Sequence, residues 1–234
     1  LLGVSSEKLY NQFMSHMNKK YKMKIEKDPK TFLSIEIERS KDTLTLHQKG
    51  YVEGLLESYN MKDCKPAPTP MSTNVAVESL SLDPKVLREG MDKNDYPVQS
   101  RCGSFIWVTK FTRYDISHPT TTIARYASAG NTSDTIIQWI KRLLRYLKGT
   151  SSLGLIYNIP KQPLNLFEIT IFTDADFASS HNRKSTSGIL VYLNDNLVDF
   201  TSKGQSTVAS STTEAEMKSI VLGCKKALWY QAYL

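Results

Sequence analysis

Cysteine is scarce in this 234-residue chain: Cys64, Cys102 and Cys224 are odd in number and far apart. They make neither a disulfide framework nor a CxxC knuckle, which excludes a disulfide-stapled secreted domain, leaves zinc unexpected and suits a reducing compartment. Long hydrophobic runs are missing as well. Nothing approaches the roughly 20 consecutive apolar residues of a membrane-spanning helix, so no membrane partner is expected. The opening Leu1-Leu2-Gly3-Val4-Ser5-Ser6 has no basic segment, no full apolar stretch and no initiator Met, and reads as the interior of a longer protein rather than as a signal peptide. The four histidines, His16, His47, His118 and His181, show neither HxxxH nor HExxH spacing, and no P-loop, dinucleotide-binding or nucleophile-elbow glycine motif occurs. Nucleotide-fuelled, hydride-transfer and serine-hydrolase chemistry therefore have no support.

What remains is an ordinary folded composition, 40% apolar and 23% charged, long enough for one large or two modest domains. The net charge of +7 is unevenly placed: residues 166–234 hold 6 basic and 7 acidic side chains, against 24 and 16 in residues 1–165. A basic platform precedes a locally acidic module. The asymmetry fits a polyanion-binding surface that feeds a carboxylate site, and it equally fits basic residues that only keep the first part soluble.

Ser5 or Ser6 can cap a helix over 6–23 whose Leu9, Phe13, Met17 and Tyr21 form one buried stripe. Phe32 to Glu38 alternates apolar and polar, Ser40-Lys41-Asp42 turns the chain, and Thr43 to His47 alternates again, which predicts a β-hairpin. Tyr51, Leu55, Leu56 and Tyr59 predict a short helix. Pro66, Pro68 and Pro70 then stop regular structure, leaving 62–95 mostly linker. Residues 97–128 suit two helices around a turn near Asp115 to Pro119. From Thr135 to Lys148, Ile136, Ile137, Ile140, Leu143, Leu144 and Leu147 make an apolar face, Lys141, Arg142, Arg145 and Lys148 a cationic one, and Gly149 ends the helix as a left-handed residue would. The cationic face suits either phosphate contact or plain solvation.

Period two takes over at 166–205. Phe167, Ile169 and Ile171 lead to Asp174, Ile189 to Leu193 form a second strand, and Val198 and Phe200 begin a third after the turn Asn194-Asp195-Asn196. Ser211-Thr212-Thr213-Glu214 is a capping box that opens a helix to the chain end. The predicted module is β-β-β-α. Strand alternation puts Asp174 and Asp176 on one face at the end of the first strand. If the helix packs on that strand, Glu214 or Glu216 approaches Asp174, and the pair suits a hard divalent ion such as magnesium, which favours carboxylate and phosphate oxygens. The competing reading is structural: Glu214 caps the helix and Asp176 ends a strand.

Several segments carry a resemblance: Thr-Asp-Ala-Asp-Phe-Ala (173–178), Arg-Lys-Ser-Thr-Ser-Gly (183–188), Gln-Ser-Thr-Val-Ala-Ser-Ser-Thr-Thr-Glu-Ala-Glu (205–216) and Arg-Tyr-Leu-Lys-Gly-Thr (145–150). Upstream, Phe-Leu-Ser-Ile-Glu-Ile (32–37), Gln-Lys-Gly-Tyr-Val (48–52) and Asp-Cys-Lys-Pro-Ala-Pro-Thr-Pro-Met (63–71) join them. In order and spacing they resemble the Ty1/copia-type retrotransposon Pol polyprotein, at the end of its reverse transcriptase and the start of its ribonuclease H, over essentially the whole chain.

The resemblance implies an α+β fold in three parts. Residues 1–75 would be the end of a reverse-transcriptase palm with a primer-grip hairpin, 76–165 a helical thumb or connection, and 166–234 the N-terminal part of a ribonuclease H-like domain. It implies that Asp174 and Glu216 are catalytic carboxylates and ligands of Mg2+ in a two-metal site that hydrolyses RNA in an RNA–DNA hybrid. Hybrid and primer-template contacts would fall to Leu33 and Ser34 in the hairpin and to Lys141, Arg142, Arg145 and Lys148. The other expected partners are the remaining Pol segments, in a cytoplasmic particle with nuclear passage of the product. Ser34 stands where the family usually has Gly, and Tyr114 where it has Pro. The polymerase aspartates belong before residue 1 and the other two ribonuclease H carboxylates after residue 234, which leaves the metal site of this chain incomplete. The alternative is a truncated or co-opted remnant that binds nucleic acid without cutting it.

Overall fold

The computed structural model describes residues 6–22, 26, 28–72, 96–128, 133–160, 166–178, 180 and 182–234. The chain divides into two compact units, Leu1–Lys30 and Thr31–Leu234. Most of the linker expected at 62–95 lies outside the described residues.

In the first unit, α1 (Glu7–Lys20) starts at Ser6, whose Oγ accepts a hydrogen bond from the Leu9 N–H at 3.4 Å. The Ser6 cap is as predicted, but the helix ends at Lys20, with Tyr21 already extended, and the stripe is not buried: no residue of α1 is buried, and Leu9 is 51% exposed. Among the described residues of this unit α1 is the only helix or strand, so the stripe has no second layer of its own unit to bury it.

The second unit opens with an antiparallel sheet in the order β1 (Thr31–Phe32), β2 (Ile35–Arg39), β3 (Thr43–His47) and β4 (Gly154–Asn158). Leu33 and Ser34 join β1 to β2 with φ of 50° and 63°, the left-handed two-residue turn whose twist matches that of paired strands. Between β2 and β3, the Ser40 hydroxyl accepts from the Asp42 and Thr43 N–H groups and fixes the predicted turn. Strand β4 was not predicted. It reaches β3 only because Gly154 lacks a side chain: a Cβ there would lie 2.2 Å from the Leu46 carbonyl oxygen and 2.8 Å from His47 Cβ. Gly154→Ala should cost about 3 kcal/mol, the upper end of ordinary overpacking, because backbone is the obstacle. A lower urea midpoint checks this, and an unchanged one refutes it.

Helices α2 (Lys49–Ser58), α3 (Val98–Phe111), α4 (Ser117–Ser128) and α5 (Asp134–Gly149) share one core in which Val52, Leu56, Phe105, Val108, Ile123 and Ile140 are almost wholly buried. A 3-10 turn, Tyr114–Ile116, separates α3 from α4, and Pro119 falls in the first turn of α4, where its missing N–H costs nothing. On α5 the apolar face is as predicted, except that Trp139 is buried and Ile137 only half-buried. Gly149 is the last helical residue rather than a left-handed cap. Its bare Cα is used differently, since a Cβ there would lie 2.9 Å from Pro66 Cβ.

Arg113 ties these helices together from the interior, at 1% exposure. Its Nε and Nη2 donate to the two oxygens of Asp115 at 2.9 and 2.8 Å. Nη1 donates to the Thr150 carbonyl at 2.8 Å, and Nη2 also to Thr150 Oγ1 at 2.7 Å. The Tyr146 hydroxyl completes the knot by donating to Asp115 at 2.8 Å.

The second sheet, β5 (Ile169–Asp176), β6 (Thr186–Leu193) and β7 (Asn196–Gly204), is antiparallel in sequence order. Asn194 and Asp195, at φ of 46° and 62°, make the β6–β7 turn where the sequence places it. Asn158 and Asn196 join the two sheets: the Asn158 N–H donates to Asn196 Oδ1 at 2.7 Å, and Asn196 Nδ2 donates to the Asn158 carbonyl. The last helix, α6 (Thr212–Tyr233), lies on β5 and β6. It comes close because Gly223 offers no Cβ to Thr173 and Ile171. The fold is α+β, and the β-β-β-α order of 166–234 is as predicted. Among the described residues no helix is long and apolar enough to cross a membrane.

Candidate active site

Asp174 owes its place to strand alternation. Ile171, Thr173 and Ala175 face α6, so Phe172, Asp174 and Asp176 emerge on the opposite face of β5, where all three are exposed. There they border a cavity of about 360 Å³ whose other walls include Tyr114, His118 and Phe200. None of these three was expected at the site, and no local pattern brings them together, because they come from the turn before α4, from α4 and from a different strand. Phe172 was missed as well, although period two puts it on the Asp174 face.

Glu216 owes its place to the α6 cap. The Ser211 hydroxyl accepts from the Glu214 N–H at 3.1 Å, which is half of the predicted capping box. The Glu214 carboxylate turns to Ser210 instead of Ser211, accepting from its N–H and its hydroxyl at 2.7 Å each, and pairs with Lys218 at 2.7 Å. Lys218, followed by the two Ser210 donors, holds the Glu214 carboxyl at about 2, against an ordinary 4.5. A depressed carboxyl stabilises the fold above its unfolded value and loses that contribution as pH falls. The stability difference between the native chain and Glu214→Gln should therefore be full above about pH 4.5 and gone near pH 2. Thermal midpoints of both proteins against pH check this, and parallel curves would refute it.

With Glu214 so occupied, Glu216 is the glutamate that reaches β5. Its Oε1 accepts from the N–H of Ala175, the residue after Asp174, at 3.3 Å. Glu216 thus meets the same end of β5 as Asp174 but from the helix face, bonding the strand backbone, while Asp174 emerges on the opposite, cavity face, so the expected approach of the helix glutamate to the Asp174 carboxylate is not seen. Both supply the hard oxygen donors that magnesium prefers. Their number falls short: among the described residues no group of three or more His, Cys, Asp or Glu is arranged to hold a metal ion. The residues present do not by themselves fit a closed metal site.

The cationic face of α5 is partly taken by the chain itself. Arg145 Nε donates to the Lys65 carbonyl at 2.6 Å, Arg142 Nη2 donates to Thr69 Oγ1 at 2.7 Å, and the Ala67 N–H donates to the Arg145 carbonyl at 3.2 Å. Lys141 is exposed and Lys148 half-buried, and neither makes an ion pair among the described residues. Leu33 and Ser34 are exposed at the tip of the β1–β2 turn, remote in sequence from α5.

The chain is 31% identical over 239 residues to the retrovirus-related Pol polyprotein from transposon TNT 1-94 of Nicotiana tabacum, a match covering 100% of the chain and 17% of that protein. It is 30% identical over 224 residues to the retrovirus-related Pol polyprotein from transposon RE2 of Arabidopsis thaliana, covering 94% of the chain and 14% of that protein. It is also 30% identical over 236 residues to an uncharacterized mitochondrial protein of Arabidopsis thaliana, covering 99% of the chain and 91% of that protein. The chain belongs to the copia-type retrotransposon Pol polyprotein family. It spans less than a fifth of the two Pol polyproteins. No family model matches it, and no solved structure does.

The copia-type motifs fall on defined elements: 145–150 ends α5, 173–178 ends β5, 183–188 opens β6, and 205–216 joins β7 to the start of α6. The two departures from copia-type Pol also have places. Ser34, where the resemblance leads to the expectation of Gly, has a φ of 63°, a conformation that glycine adopts without strain. Tyr114, at the usual Pro, opens the 3-10 turn and rests its ring 5.8 Å from that of Phe200.

Proposed function

We propose that residues 166–234 are the N-terminal part of a ribonuclease H-like domain and that the preceding residues are the end of a reverse transcriptase, the parent being an RNA-directed DNA polymerase that also cleaves the RNA of an RNA–DNA hybrid. The observation that carries this reading is the hydrogen bond from the Ala175 N–H to Glu216, which joins the first strand of the module to its helix beside Asp174. In the complete protein, Asp174 and Glu216 would be two of the carboxylates around magnesium, which when bound supplies charge for the attacking and leaving oxygens. The carboxylates of this chain then fix one end of the site through the strand and the cap of α6. On this reading β4 belongs with the polymerase-derived part, since it pairs with β3. Recognition of the hybrid would rest on backbone shape and the 2′-hydroxyl rather than on base sequence.

The test is magnesium-dependent cleavage of a labelled RNA–DNA hybrid by residues 1–234 and by a version continued into the next segment of the Pol polyprotein, each beside Asp174→Asn. Activity in the extended chain that disappears with Asp174→Asn supports the reading. Hybrid binding without cleavage in either would favour the non-cutting remnant.

A further inference from the structure

A second cavity lies beside α6, on the sheet face opposite to that of the first. It is a groove of about 290 Å³ between the end of β7, the loop that follows it and the helix. Lys203 enters it from β7, and Lys218 and Lys225 from α6, where a spacing of seven puts both on one face. Ser206 and Thr207 contribute exposed hydroxyls from the loop. Val221 and Leu222 give the wall apolar patches against which lysine stems can lie with their ammonium groups in water. One carboxylate offsets this charge: Lys218 is paired with Glu214 at 2.7 Å and also donates to Thr207 Oγ1 at 3.0 Å. Lys203 and Lys225 have no acidic partner among the described residues. The module as a whole carries a net charge of −1, so a groove with two uncompensated cations is a local inversion of its field.

Its position gives the inversion a direction. Ser187 of β6 lines the groove, and its register partner on β5 is Ala175, the residue that donates to Glu216. Adjacent strands are about 5 Å apart, so the groove begins, on the α6 face of the sheet, about one strand spacing from the hydrogen bond between Ala175 and Glu216, with Asp174 on the reverse face of the next strand. We infer that this groove holds the phosphodiester backbone of the nucleic acid whose strand passes the two carboxylates, with Lys203 and Lys225 on phosphate oxygens and the Ser206 and Thr207 hydroxyls as neutral donors. The inference rests on the reading of the module as hybrid-processing, but it concerns binding, and binding is measured apart from cleavage.

The experiment uses the full chain and an RNA–DNA hybrid carrying a fluorophore, with anisotropy read across a range of salt concentrations. Each lysine–phosphate contact adds about 1 to the slope of log affinity against log salt. Lys203→Ala with Lys225→Ala should lower that slope by about 2 and weaken binding about tenfold or more near 0.1 M salt. Lys203→Arg with Lys225→Arg should restore both, and because these positions are exposed all variants should fold. Amide shifts at Ser206 and Thr207 during hybrid titration should accompany binding. An unchanged slope in the alanine variant would overturn the inference. So would inorganic phosphate moving the same amides while hybrid binding ignores the alanines, since the groove would then take only a small anion. Failure of cleavage with the salt result intact would instead count against the ribonuclease reading.

Discussion

Replacing Arg113 with alanine is expected to destabilise the second compact unit by about 3–5 kcal/mol, the range for breaking a buried ion pair from one side. The guanidinium makes a bidentate pair with Asp115 and donates twice to Thr150, so it connects the start of the 3-10 turn to the end of α5. Without it, the Thr150 carbonyl loses a donor and, among the described residues, Asp115 keeps only the Tyr146 hydroxyl as a hydrogen-bond donor. Burial, with the Asp115 carboxylate beside it, pushes that hydroxyl above its ordinary value, so Tyr146 stays a donor and does not compensate for the lost cation. Arg113→Lys should recover little, because a point ammonium cannot reproduce the planar fork that serves Asp115 and Thr150 together. Urea unfolding should show a lower midpoint with an unchanged slope for both variants. A loss under about 1 kcal/mol for the alanine variant would mean that the knot is incidental to stability.

The elements that were legible in the sequence are those whose signal is local. Alternation from Ile169 to Asp176, the Asn194-Asp195 turn and the cap at Ser211 each depend on near neighbours, and together they place Asp174 and Glu216 at one end of β5. Strand β4 was missed because Leu155-Ile156-Tyr157 is too short to show a period and its pairing partner lies more than 100 residues earlier. The α5 arginines show a different gap. A cationic face was readable from spacing, but not what meets it. The prolines at 66, 68 and 70 hold that segment out of regular structure, leaving the Lys65 carbonyl and the Thr69 hydroxyl to receive Arg145 and Arg142. The lysine groove on α6 was hidden for the opposite reason, since a whole-module charge of −1 averages over it.

For the carboxylate pair, the decisive variants are the isosteric ones. Gln at position 216 keeps a carbonyl oxygen able to accept from the Ala175 N–H, so Glu216→Gln removes charge while leaving the strand–helix hydrogen bond available. Asp174 is exposed, so Asp174→Asn should change stability by less than about 0.5 kcal/mol. In the extended chain each variant should nonetheless lose more than about 100-fold in hybrid cleavage, because groups that only orient metal ligands already cost 10–100-fold when lost. Glu216→Ala adds a second readout: it gives up the bond to Ala175 as well, so it should lower the unfolding midpoint where Glu216→Gln does not. Asp176→Asn, on the same strand face, separates charge in the cavity from the specific role of Asp174, and its effect should be the smaller. Native cleavage rates in Asp174→Asn or Glu216→Gln would remove the pair from the chemistry. The hydrogen bond between α6 and β5 would then be a feature of packing alone.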